Sequence, residues 1–99
     1  MITEIAEIEV VPGHEYAFEI AVGKARLLFD AAPGCRGMEL HRSIETPLRY
    51  RLLVRWDSIE AHTVDFRGSP AFQRWRELAG PHFAAPPVVE HGDTVVGGF

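Results

Sequence analysis

Two Pro-Gly pairs, Pro12-Gly13 and Pro33-Gly34, bracket a stretch whose apolar residues recur with helical spacing. Within it, Phe18, Ala21, Val22, Ala25, Leu28, Phe29 and Ala32 fall at i, i+3, i+4, i+7, i+10, i+11 and i+14. Glu15, Glu19, Lys24, Arg26 and Asp30 take the remaining surface, so a helix over 13–32 buries one stripe. Outside the bracket the period falls to two. Residues 2–11 set Ala6, Ile8 and Val10 against Glu7 and Glu9, the pattern of a half-buried strand. A chain that changes period across such breaks must lay a helix on a sheet, because neither element can bury its apolar side alone.

The remainder extends the pattern. Residues 35–45 read as a strand with Met38, Leu40 and Ile44 on one face. Thr46-Pro47-Leu48 turns, and 49–56 returns with Tyr50, Leu52, Val54 and Trp56 alternating with arginines and Leu53. Asp57 or Ser58 caps a short helix with Ile59, His62, Thr63 and Phe66 inside. Ser69 as N-cap and Pro70 at N1 start another, with Phe72, Trp75 and Ala79 on its apolar side, and Gly80-Pro81 ends it. Residues 86–96 form the last strand. The order β-α-β-β-α-α-β predicts an α+β, ferredoxin-like split βαβ domain over residues 1–99, with a four-stranded antiparallel sheet.

Helices cover one sheet face. The other carries Ile5, Cys35, Gly37, His41, Ser43, Leu53, Arg51 and Arg55, too apolar for water and too polar for a dry core. Pairing with a second copy would cover it, so a homodimer is expected, with residues 86–99 helping to clasp the partner. The 99 residues hold one hydrophobic core, and a net charge of −4 with dispersed positive residues argues against nucleic acid and anionic membrane as partners. A lone cysteine, Cys35, leaves no intrachain disulfide and fits a reducing compartment. With no basic leader before the first strand and no long apolar run, a cytoplasmic location is expected.

Several runs together resemble the antibiotic biosynthesis monooxygenase (ABM) family. They are Val11-Pro12-Gly13-His14-Glu15, Ala32-Pro33-Gly34-Cys35, the stretch from Leu53 to His62, Phe66-Arg67-Gly68-Ser69-Pro70-Ala71-Phe72, and Pro81-His82-Phe83-Ala84. The resemblance implies a dimeric α/β barrel. It also implies one of several activities: oxidation of aromatic polyketides or quinols by O2 without metal or organic cofactor, haem degradation, or none. Haem-degrading relatives use an Asn on the first strand, and this chain contains no Asn. Phe66 stands about where their helical Trp would be, and Trp75 or Arg76 where their His would be, so haem cleavage is disfavoured.

Cofactor-free oxygenation requires an apolar slot, a base working near neutral pH and a donor for the developing oxyanion. His62, on the inner stripe of a short helix, is the candidate base. Arg42 breaks the apolar parity of its strand, which aims it beneath the helices as the candidate oxyanion partner. Phe66, Phe72, Trp75 and Tyr50 are the candidate slot, with His82 at its mouth. Each has a structural alternative: aromatics filling the core, His62 hydrogen-bonded at the helix–sheet boundary, His82 solvated, Arg42 at the sheet rim. No HxxH, HxH or HxxxH spacing occurs, so no metal site is expected. Two functions stay open: a cofactor-independent monooxygenase of an electron-rich quinol, anthrone or polyketide-like aromatic, and a non-catalytic dimeric module for a small apolar ligand.

Overall fold

The computed structural model describes residues 1–98. Strands β1 (Ile2–Glu9), β2 (Cys35–Arg42), β3 (Arg49–Trp56) and β4 (Val88–Asp93) form one antiparallel sheet in the order β2-β3-β1-β4. Helices α1 (Glu15–Asp30) and α2 (Pro70–Ala79) cover one face. This is the expected α+β, ferredoxin-like architecture. Phe18, Phe29, Tyr50, Leu52, Val54 and Trp56 form the fully buried centre between the layers.

Local differences follow from particular residues. β2 ends at Arg42, because Ser43 Oγ accepts the Thr46 amide at 3.0 Å and turns the chain there. Ile44 and Ser43 thus leave the strand, and Ile44 is 89% exposed rather than inward. A register shift between Cys35 and Gly37 sets Cys35 opposite Trp56, on the helix-covered side and against the core, instead of on the open face. Asp57 is taken by Arg36, whose guanidinium meets both carboxylate oxygens at 2.7 and 2.8 Å, so the next turn is capped by Ser58 Oγ accepting from the Ala61 amide at 3.2 Å.

That turn, Ala61–Phe66, is π-helical. The Arg67 amide donates to the His62 carbonyl at 3.1 Å, an i→i+5 bond. The wider turn buries Ala61, His62 and Phe66 and leaves Ile59 exposed. Gly34 fixes its seat: with φ +82°, a Cβ there would lie 2.8 Å from Ala61 Cβ, so only glycine lets the π-helical turn pack this closely. α2 starts as expected, with Ser69 Oγ accepting from the Phe72 amide and Pro70 at its first position. No helix is long and apolar enough to cross a membrane among the described residues.

Candidate functional site

Among the described residues, the sheet buries one charged residue against the helix layer. Glu4 shares the parity of Ala6 and Ile8 and is only 6% exposed. Its cross-strand neighbours are Val54 on β3 and His91 on β4. Above it, the π-helical turn brings His62, 3% exposed and stacked on Trp56 at 5.3 Å. Glu4 Oε1 accepts from Trp56 Nε1 at 3.0 Å and lies 3.3 Å from His62 Nε2. His62 Nδ1 meets His91 Nε2 at 2.8 Å. When Glu4 is ionised, the bonds run in one sense: His91 Nε2–H donates to His62 Nδ1, and His62 Nε2–H donates to Glu4.

Burial governs the charges. It pushes the Glu4 carboxyl up to about 7, against the opposing pull of the Trp56 donor and the Arg67 charge. It pushes His62 down to about 4, and the positive charge of Arg67 and the neighbouring His91 add to the effect. Near neutral pH the imidazole is uncharged and the carboxyl is close to half ionised, which suits a group that takes and returns a proton.

Glu4 and His62 form part of the wall of a cavity of about 210 Å³. Apolar surface comes from Ala6, Ile8, Leu52, Phe72, Trp75, Phe83, Pro87 and Val89, and Arg67 and Arg76 supply the cationic part. The π-helical turn explains Arg67: more residues per turn carry position 67 round toward the face of position 62. Arg76 falls on the stripe Phe72, Trp75, Ala79 of α2, its guanidinium 5.9 Å from the Phe72 ring centre. Phe83 reaches the cavity because Val10 bridges to it and the Ala84 amide binds the Glu9 carbonyl at 2.8 Å.

Of the residues singled out in the sequence, the structure brings His62, Phe72 and Trp75 together here. Phe66 packs into the core between Phe29, Trp56 and Phe72. Tyr50 lies against Phe18 and donates to Glu19 Oε2 at 2.6 Å. Burial and that carboxylate push its phenol up to about 12. His82 sits 3.1 Å from His14, Nδ1 to Nδ1, outside the cavity wall. Arg42 has the inward parity but stands at the end of β2, where it binds the Pro47 carbonyl at 2.7 Å and stays half exposed. It does not meet His62. Sequence reasoning missed Glu4, His91, Arg67 and Arg76. The signals were present for two: Glu4 shares the strand parity of Ala6 and Ile8, and Arg76 has the i, i+4 spacing from Phe72.

The family model for antibiotic biosynthesis monooxygenase matches residues 1–78, a span that carries Glu4, His62, Arg67, Phe72, Trp75 and Arg76. The chain is 34% identical over 91 residues to the uncharacterized protein YczJ of Bacillus subtilis (strain 168), covering 92% of this chain and 96% of that protein. A crystal structure from Bordetella bronchiseptica that bears the family's name is 54% identical and superposes with a TM-score of 0.95, covering 96% and 97% of the two chains. A Mycobacterium tuberculosis protein, Rv0793, shares the fold at a TM-score of 0.80 and 23% identity, over 97% of this chain and 96% of that one. The match takes in β1, the π-helical turn and all but the last residue of α2, while Phe83, Pro87 and Val89 of the cavity lie beyond it, and the chain belongs to the antibiotic biosynthesis monooxygenase family.

Proposed function

We propose that this protein is a cofactor-independent monooxygenase of a small electron-rich phenol or quinol. Glu4 accepts the phenolic proton, and His62, itself braced by His91, holds the carboxylate in place. The observation behind this reading is the buried carboxyl, held near neutral pKa, in the wall of an aromatic-lined cavity. Both close contacts of Glu4 fall on Oε1, so Oε2 is the atom left to meet a substrate hydroxyl. His62 keeps both ring nitrogens engaged, which makes it a support for the carboxylate rather than the first acceptor. Deprotonation makes the ring a reductant for O2. One oxygen atom enters the ring, and the other leaves as water with the two hydrogens the substrate loses. Arg67 favours the phenolate over the phenol through its charge. A cavity of about 210 Å³ lies below the roughly 300–1,000 Å³ of typical ligand sites, which favours one- or two-ring substrates over a tetracycle.

Oxygen uptake with a simple 1,4-quinol and purified protein, with no flavin or iron added, is the direct test. The expected result is uptake with one labelled atom in the quinone product under ¹⁸O₂. Uptake only after flavin or iron is added would remove the cofactor-free reading. Quinol binding without uptake would instead identify a non-catalytic ligand-binding module.

The same reading includes a homodimer. The open sheet face carries Ile5 and Leu53 among the ion pairs Arg49–Glu7 (2.8 Å), Arg49–Glu9 (2.7 Å) and Arg55–Glu39 (3.8 Å), while Val88 on β4 is 68% exposed. His41 finds its carboxylate, Glu39, within the chain at 3.5 Å. A second copy laid on this face would bury the apolar centre within a charged rim. Phe99, at the end of the predicted clasp, lies outside the described residues. Sedimentation at micromolar concentration should give about twice the 11.1 kDa chain mass, and a clean monomer would rule the dimer out.

A further inference from the structure

We infer that the ligand of this cavity is an aromatic anion, a one- or two-ring phenol carrying a carboxylate, with the hydroxyl directed to Glu4 and the carboxylate held by Arg67 and Arg76. The inference rests on the cavity assigned above but not on its being an oxygenase. Both arginines contribute to the same wall as Glu4, His62, Phe72 and Trp75. Neither guanidinium makes an ion pair or side-chain hydrogen bond among the described residues, while five of the remaining seven arginine side chains are engaged: Arg36, Arg42, Arg49, Arg55 and Arg74 by carboxylates, and Arg42 also by a carbonyl.

The acids nearby do not satisfy them. Glu77, one residue along α2 from Arg76, is taken by Arg74 at 3.3 Å. Glu4 lies below with its oxygen committed to Trp56 and His62, and burial drives it toward neutrality. Both guanidiniums border one apolar slot, and each can offer paired N–H donors of the kind a carboxylate accepts. The chain as a whole carries −4, so attraction of an anion has to be local, and these two residues supply it at the cavity. Orientation follows. With the carboxylate on the guanidiniums and the ring between Phe72, Trp75 and Phe83, the opposite edge of the ring meets the carboxyl on β1.

The test compares two ligands that differ by one group, 2,5-dihydroxybenzoate and 1,4-dihydroxybenzene, by calorimetry under anaerobic conditions at pH 7. The acid should bind about 10–100-fold tighter than the parent quinol, and the preference should shrink as salt is added. Arg76→Gln and Arg67→Gln should each cut the preference severalfold. Lys24→Gln, which removes an equal charge from the exposed side of α1, should leave it intact. Equal affinity for the two ligands, no measurable binding of either, or an unchanged preference in both variants would overturn the inference. Oxygen uptake is read separately: tight binding of the acid with no uptake sinks the oxygenase reading alone.

Discussion

Glu4→Gln should lower quinol turnover by about 10²–10⁴-fold, the usual cost of removing a positioned base. The substitution keeps the shape and an acceptor oxygen for the Trp56 indole N–H, so the pocket stays assembled. What disappears is the group whose proton moves near pH 7. His62→Ala should cost less, because it removes the support for Oε1 but leaves a carboxyl in the wall. The pH profile separates the two roles. Wild-type turnover should rise through about pH 7 as Glu4 ionises, and the residual rate of Glu4→Gln should lose that step. Turnover of Glu4→Gln at the wild-type level, measured by oxygen electrode with circular dichroism to confirm the fold, would eliminate Glu4 as the acceptor.

The same pair should imprint opposite pH slopes on stability. Glu4 ionises at about 7 in the folded chain against an ordinary 4.5, so the folded state keeps a proton that the unfolded chain releases. Its contribution is therefore fully present below about pH 4.5 and is lost as pH rises through about 7. His62 titrates at about 4 against an ordinary 6.5, so the unfolded chain takes up a proton that the folded site refuses. Its contribution is present above about pH 6.5 and is lost as pH falls through about 4. Each gap corresponds to at most about 3 kcal/mol, reduced by the 3.3 Å attraction between the two when both are charged.

The wild type superposes the two slopes in one window, where they offset each other. Glu4→Gln should gain stability relative to wild type as pH rises from about 4.5 to about 7. His62→Gln should gain relative to wild type as pH falls from about 6.5 to about 4. In a domain of 99 residues, each kcal/mol moves the melting temperature by about 4–8 °C, so melts at pH 4, 5.5 and 8 resolve the pattern. Melting curves of the three proteins that shift in parallel with pH would show that neither group is held away from its ordinary pKa.

Apolar period and punctuation by themselves determined the element order. The i, i+3, i+4, i+7 stripe from Phe18 has no strand alternative, and the alternation of Tyr50, Leu52, Val54 and Trp56 has no helical one, so local sequence sufficed for α1 and β3. Ser69-Pro70 likewise set the start of α2, because cap and first turn are properties of adjacent residues. The site was legible only in part. His62, Phe72 and Trp75 stand on inward stripes that any helical reading exposes.

Other features were decided by tertiary structure, each for a nameable reason. Glu4 has inward parity, yet a charge on a strand reads as solvated until the Trp56 indole and the His62 imidazole arrive from distant segments to satisfy it. Arg42 has the same parity, but the strand ends there and its long side chain reaches the rim. The spacing of Ala61, His62 and Phe66 suits an α-helical or a π-helical turn alike. It is the close seat against Gly34 and the i→i+5 bond that turn Arg67 toward the cavity, and packing of that kind leaves no mark in local periodicity.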